Sequence, residues 1–473
     1  MTVLISGIGL ATAQGNAADI VRASEPHSPA DLPWAPNKWN VSRICYPSLE
    51  IDSSLAGLKR WQELVKHAFA ELGALSRNTP LLVASCNGDA SRSWETAFET
   101  TTLLNGTPWS NEHLPVFSSS CASGIHALYA AKQLLTSGAV DEVLVLAADV
   151  LSQSNHENFE SLRVLAEQPG SPWQSASQGF ILGEAAVVLK LVRAETDDRH
   201  TLFQGPELAS DLVDRDGLSS VLEALSFHTP SLILGQGTGP FQNDTAELSA
   251  FSAYVNKSVP LATPLSNFGH TLGASGLLAV ALGVLSKERG SAISSLTGPA
   301  VEALDGRPLL NSAGKVGDVL LTCRALNGAC AASVVGSKVP SERQRRKGHW
   351  RKSIMPGPLM NQTLKRLASE ALEHRPSKPP DVFILRMEKP LSPRPSAIIG
   401  DRLLPSAVLE ITPGFASQLV ARCWGFSGPA LCLVGDVDRD AYGLRNALHE
   451  SGLQVFQVNM RGSGDNRAIE WNV

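Results

Sequence analysis

An α/β fold with a largely parallel, buried sheet is predicted by two features of this sequence. Short apolar runs alternate with amphipathic helical stretches, and the same alternation recurs further along the chain. The 473 residues are 43% hydrophobic, enough to bury a large core and to hold more than one domain. Met1 to Leu10 reads as a first strand. Leu55 to Leu72 is predicted helical because Leu58, Trp61, Leu64, Val65 and Phe69 fall on one face. Leu81 to Ala84 reads as a buried strand. From Val116 an apolar run meets serines and Cys121, and Ile125, Leu128, Ala131, Leu134 and Leu135 then predict a helix ending near Gly138. Glu142 to Ala147 forms the next strand. His126 lies within that helix and is expected to pack or cap rather than to catalyse. The second half repeats the plan with a strand at Ser231 to Leu234, a glycine loop at Gly235 to Gly239, and a helix through Glu247 and Phe251.

Cys121 falls at a strand-to-helix junction among the small residues Ser120, Ala122, Ser123 and Gly124. Unpaired backbone N–H groups and the positive end of a helix dipole favour a thiolate there, so a nucleophile with a lowered pKa is expected. A buried, inert cysteine in a packed turn is the alternative. The net charge of −5 gives no nucleic-acid signal, and the longest apolar runs are too short to cross a bilayer. No export signal is evident at the amino terminus, and a cytoplasmic protein is expected. The seven cysteines are odd in number and lack CxxC spacing, so neither a disulfide framework nor a metal site is suggested.

Three ordered segments carry a family resemblance: Ser120-Cys121-Ala122-Ser123-Gly124, then Gly179 to Ala186, then Ser266 to Gly276. Together they resemble the β-ketoacyl synthases, the condensing enzymes of fatty-acid and polyketide assembly, over residues 1–340. The resemblance implies a thiolase fold, two similar α/β halves in five layers, with Cys121 as the acyl-accepting nucleophile and His270 as a site histidine. It also implies acyl carrier protein as partner, a phosphopantetheine or coenzyme A thioester as acyl donor with no bound cofactor, and a homodimer or a ketosynthase-like heterodimer.

The sequence departs from the family at three places. Gln236 stands where the HGTGT loop has its histidine, and a glutamine amide donates a hydrogen bond but exchanges no proton near neutral pH. Leu265 replaces the usual lysine, so Glu184 is expected to have lost its partner and to be structural, a secondary candidate alongside Asn267. The GFGG turn becomes Ala325-Leu326-Asn327-Gly328; a backbone N–H survives side-chain change, so Cys121 and Leu326 can still form an oxyanion hole although the phenylalanine gate is gone. Acylation looks intact and condensation does not. The expected function is therefore an acyltransferase that loads Cys121 and passes the acyl group to an acceptor. Decarboxylative Claisen condensation is the alternative within enzymes, and a non-catalytic subunit of the chain-length-factor type is the alternative outside them.

Residues 341–352 hold six basic side chains against Glu342 and read as a solvated linker, with carrier-protein docking as the alternative. Residues 353–473 are expected to form a helix at Met360 to Leu372, a strand at Asp381 to Arg386, a helix at Phe415 to Trp424, a strand at Ala430 to Val434, a helix at Tyr442 to His449 and a strand at Val455 to Val458. The layout resembles the first half of the early chain, with Gly435 or Asp436 at the nucleophile position. A degenerate half-ketosynthase is expected, packed on the catalytic domain or on another subunit as a dimer partner would be, with the helix from Phe415 and the Gly425 to Pro429 turn at the interface; an independent appended α/β module is the alternative.

Overall fold

A computed structural model describes residues 2–22, 26–34, 42–89, 96–169, 172–175, 178–194, 201–212, 216–225, 227–293, 302–310, 315–336, 361–391, 398–399, 402–403, 412–463 and 467–472. The basic stretch 341–352 lies outside the described residues.

Among the described residues, fourteen strands form one sheet built from three blocks. The first comprises β1 (Thr2–Thr12), β2 (Leu81–Ala84), β3 (Val116–Phe117), β4 (Glu142–Asp149) and β5 (Ala185–Ala194), in the order β1-β5-β4-β2-β3. The second comprises β6 (Thr201–Ser210), β7 (Leu232–Leu234), β8 (Leu261–Ala262), β9 (Val319–Arg324) and β10 (Ala329–Gly336), in the order β6-β10-β9-β7-β8. The third comprises β11 (Val382–Met387), β12 (Ala430–Val434), β13 (Val455–Arg461) and β14 (Ala468–Asn472), in the order β14-β13-β11-β12. These orders are one plan, used twice in full and once without its first strand. Directions repeat as well: β2, β7 and β11 each lie between two parallel neighbours, while β5, β10 and β14 pair antiparallel with β4, β9 and β13. The expected largely parallel sheet is therefore corrected to a mixed one. A turn as short as Ala325 to Gly328, between β9 and β10, can join only antiparallel strands.

Seven helices set the layers. They are α1 (Gly57–Ala70), α2 (Ser123–Ser137), α3 (Phe241–Tyr254), α4 (Ser275–Arg289), α5 (Gln362–Glu373), α6 (Pro413–Trp424) and α7 (Leu444–Glu450). Helices α2 and α4 are apolar nearly all round, and such helices belong inside. They pack on each other between the first two blocks, so closely that a Cβ on Gly124 would sit 3.0 Å from the Leu277 Cβ. On the outer faces, α3 shares a core with β7 and β9, whereas Trp61 and Phe69 of α1, Leu364 of α5 and Trp424 of α6 share another. The result is helix, sheet, helix, sheet, helix, the five-layered thiolase fold.

Two joins make the sheet continuous. Val3 to Ile5 of β1 pair with Thr201 to Phe203 of β6 and join the first two blocks. Phe117 and Val116 of β3 pair antiparallel with Leu433 and Val434 of β12, and the Ser118 N–H donates to the Cys432 carbonyl at 3.0 Å. Beside that second join α7 packs on α2, and Leu444, Ala447 and Leu448 enter the same core as Leu128. Helix α6 starts at Pro413, ahead of the expected Phe415, because Pro suits a first helical turn. Its Gly414 lies against the segment before the nucleophile: a Cβ there would come within 2.5 Å of Ser119 Cα. Phe426, in the Gly425 to Pro429 turn, is buried in the outer core; the contact with the nucleophile's strand comes from β12 and Gly414, and that with the helix after it from α7.

Candidate active site

Cys121 sits between β3 and α2, two residues before the helix's first residue, and is 2% exposed. Ser120 takes a left-handed φ of 56°, and the turn is closed by the Ser123 hydroxyl donating to the Ser120 carbonyl at 2.6 Å. Burial pushes the Cys121 thiol up to about 12, and the nearby Asp149 carboxylate pushes the same way. The N–H groups of Leu326 and of Cys121 itself face the sulfur and pull the value down. The lowered pKa expected from the helix start is thereby corrected: desolvation of a wholly enclosed thiolate outweighs the dipole and two N–H donors.

His270 follows the single helical turn Leu265–Phe268 and is 1% exposed. Its Nδ1 accepts the Leu272 N–H at 3.1 Å, which leaves Nε2 as the protonated nitrogen. Burial lowers its pKa to about 4, so the ring is neutral at physiological pH, and it stacks on Phe180 at 4.6 Å between centroids.

Gln236 is held on three sides. Its N–H donates to Glu247 Oε1 at 2.9 Å, its carbonyl accepts from Thr263 Oγ1 at 2.7 Å, and its Oε1 accepts the Arg324 N–H at 2.6 Å. With Oε1 engaged, the buried Nε2 has no hydrogen-bond partner among the described residues. Glu247 also accepts from the Gly237 N–H and the Trp173 indole, which fixes the glycine loop.

One cavity of about 100 Å³ brings Cys121, Gln236, His270 and Leu326 together. Arg324 and Asp211, which sequence reading did not single out, line it as an ion pair at 2.9 Å. The only signal for Arg324 was a cation at the end of an otherwise uncharged strand. Asp149 was missed too: buried behind the cysteine, it accepts from Ser85 Oγ and from the Cys86, Asn87 and Gly273 N–H groups, and burial raises its pKa to about 6.

The secondary candidates do not line this cavity. Asn267 is buried in the turn before His270, and its carbonyl accepts from the Gln14 amide. Glu184 has not lost its partner, as expected from Leu265, but has another: Arg60 of α1 pairs with both of its oxygens, and Ser48 and Leu151 N–H groups donate to it at 2.7 and 3.1 Å. A fully enclosed carboxylate needs such a set of donors, whichever element supplies the cation. His126 accepts or donates at Ser119 Oγ, 2.8 Å away, and lies outside the cavity.

Comparison with known proteins agrees with this arrangement. Residues 115–197 match the model of the β-ketoacyl synthase N-terminal domain, and residues 215–297 match that of the C-terminal domain. The highly reducing polyketide synthase Preu5 of Preussia isomera is 27% identical over 202 residues, 37% of this chain and 8% of that protein. The tetracenomycin polyketide synthase ketoacyl synthase alpha subunit of Streptomyces glaucescens is 26% identical over 203 residues, 37% of this chain and 48% of that one. The match thus spans a small fraction of the first and about half of the second. Among solved structures, the PfaC keto synthase-chain length factor superposes with a TM-score of 0.71 at 13% identity, covering 98% of this chain and 74% of that one. The ketosynthase ApeO in complex with its chain length factor ApeC, from Xenorhabdus doucetiae, gives 0.57 at 18% identity, covering 71% and 98%. No helix among the described residues is long and apolar enough to cross a membrane. With both domain matches in order on one thiolase fold and the motif cysteine and histidine in one cavity, residues 115–197 and 215–297 are the segments that carry the likeness to the N- and C-terminal domains of the β-ketoacyl synthase family.

Proposed function

We propose that the chain is a ketosynthase-family acyltransferase, taking an acyl group from a carrier-protein or coenzyme A thioester onto Cys121 and passing it to an acceptor. The observation that carries this reading is that Cys121 and Leu326 line one cavity, where the N–H groups of both favour negative charge at the site. An oxyanion formed when that sulfur attacks a thioester carbonyl has donors already in place. The Cys121 S–C bond forms, the donor's C–S bond breaks, and the departing thiol carries away the proton that Cys121 loses. His270, neutral with its proton on Nε2, donates a hydrogen bond rather than accepting a proton. Intact-protein mass spectrometry with a panel of acyl carrier proteins and acyl-coenzyme A thioesters tests this. An adduct that disappears in Cys121→Ala supports it, and no adduct from any donor would favour a non-catalytic partner subunit.

Decarboxylative condensation is the second reading, and Gln236 favours it. Its unpartnered Nε2 and the His270 Nε2–H line the same cavity, and an enolate oxygen formed as carbon dioxide leaves needs neutral donors of that kind.

Residues 1–340 read as the catalytic unit and 353–473 as a degenerate first half-ketosynthase. Supporting this, β11 to β14 repeat the order and directions of β2 to β5, and both α2 and α7 are followed by a left-handed glycine, Gly138 as the cap of α2 and Gly452 one residue past the Ser451 cap of α7. Counting back equally from those glycines sets Gly435 where Cys121 stands, so the third block has no nucleophile. That block sits against β3 as the facing half of a ketosynthase pair would, in the same chain.

A further inference from the structure

We propose that Arg422, on the carboxy-terminal helix α6, is a positioning residue for acyl transfer: it sets the turn that presents the Leu326 N–H to Cys121. This rests on the acyl-transfer reading above. The turn from Arg324 to Gly328 joins β9 to β10 and carries two cavity functions, the Leu326 N–H at the sulfur and the Arg324 N–H that orients Gln236. Its own bonds are local: Gly328 N–H to the Ala325 carbonyl at 2.9 Å, Ala329 N–H to Asn327 Oδ1 at 3.1 Å. Asp211 grips one flank, its N–H on the Gly328 carbonyl at 2.7 Å and its carboxylate on the Arg324 guanidinium. On the other flank Arg422 Nη2 donates to the Asn327 carbonyl at 2.8 Å. Gly328, at φ 91°, lies so close beneath that guanidinium that a Cβ would run into it.

The geometry makes this contact a lever. Asn327 follows Leu326 directly, so fixing its carbonyl limits rotation of the peptides that aim the Leu326 N–H. Helix α6 is itself pinned at its other end, where Gly414 meets Ser118 and Ser119 just before Cys121. A single helix from the third block thus spans from the nucleophile's approach strand to the oxyanion turn. The third block is then part of the acylation machinery and more than a cover for the β3 edge.

The test compares two reactions of Cys121 in the full chain. Acylation by an acyl-coenzyme A thioester needs the oxyanion donors as well as the thiolate, whereas alkylation by iodoacetamide needs the thiolate alone and so reports the smaller effect of the Leu326 N–H on the sulfur. Removing one such donor costs about 100-fold or more, so Arg422→Met, which loosens a donor, is expected to slow acylation by about 10- to 100-fold, with alkylation changed by less than about 3-fold. Arg422→Lys, which keeps a cationic donor on a flexible stem, is expected to recover part of the loss. Unchanged acylation, or acylation and alkylation falling together, would overturn the proposal. Hydrogen exchange at Leu326 gives a readout free of acyl chemistry and is expected to quicken in Arg422→Met. If the wild-type chain takes no acyl group, the acyl-transfer reading fails, while quicker exchange still upholds the positioning contact and unchanged exchange rejects it. Should Arg422→Met not fold, Arg422→Lys carries the same comparisons.

Discussion

Val116 pairs with Val434 across an antiparallel join, so the strand that leads to the nucleophile is an interior strand of the sheet and not its edge. A two-residue strand as short as β3 contributes few ladder bonds of its own, and its partners decide whether it holds its place. Leu433, 1% exposed and opposite Phe117, is a direct probe of the join. Leu433→Ala is expected to cost about 2–5 kcal/mol of unfolding free energy, read from urea denaturation. A chain ended at residue 340 would leave the β3 edge bare, and light scattering after size-exclusion chromatography is expected to show pairing or aggregation absent from the full chain. An unaltered oligomeric state and stability after that truncation would refute the packing role.

The Arg60–Glu184 pair predicts an asymmetric double-mutant cycle. Both groups are buried and Glu184 holds four donors, two of them backbone. Arg60→Met alone is expected to cost about 3–5 kcal/mol, because it strands an uncompensated carboxylate. Arg60→Met with Glu184→Gln is expected to recover a substantial part of that, since the amide carries no charge to compensate. A loss in the double variant equal to the sum of the Arg60→Met and Glu184→Gln losses, measured by urea unfolding, would show that the pair is not coupled.

Acid should destabilise the fold through its enclosed histidines. Burial holds His126 near 3 and His270 near 4, both below the ordinary 6.5. Between pH 6.5 and 4 the unfolded chain takes up these protons and the folded one does not, so stability falls by about 3 kcal/mol for each histidine. Asp149 acts oppositely: its folded value is raised to about 6, so the folded state binds a proton first and offsets about 2 kcal/mol of the loss. A net fall of a few kcal/mol from pH 6.5 to pH 4 is expected in urea midpoints, with a flatter slope in His126→Asn. A slope unaffected by that substitution would place the titration elsewhere.

What the sequence revealed was mostly local. Leu81–Ala84 and Ala430–Val434 could be read as buried strands because they are short apolar runs bounded by turn residues. The helix after Cys121 could be read to its C-cap because Gly138 takes a left-handed φ of 80°. Cys121, Gln236, His270 and Leu326 were legible because motifs mark their positions. The antiparallel directions were not legible, since an apolar strand does not say which neighbour it pairs with. Arg60 was not legible as the partner of Glu184, 124 residues away in sequence, nor was Asp149 behind the cysteine. The sign of the Cys121 shift was missed for a related reason: the helix start is visible in sequence, and the burial that outweighs it comes from elements packed around the site.

Gln236 offers the substitution that separates transfer from condensation. In the wild-type chain its Oε1 is used by the Arg324 N–H, so only Nε2 can act in the cavity. A histidine there could accept the same N–H at Nδ1 and aim an Nε2–H into the space, giving the cavity a second imidazole beside His270. Under the transfer reading, malonyl carrier protein is expected to yield no carbon dioxide above the Cys121→Ala background in the wild-type chain. Gln236→His is then expected to raise release by about 10-fold or more, in line with the effect of one well-placed donor. Gln236→Leu is the counterpart, and it should leave acylation of Cys121 within about 3-fold, because the oxyanion N–H groups come from Leu326 and Cys121. Release already present in the wild-type chain and lost in Gln236→Leu would instead make the glutamine amide the enolate donor, and condensation would replace transfer as the reaction of this site.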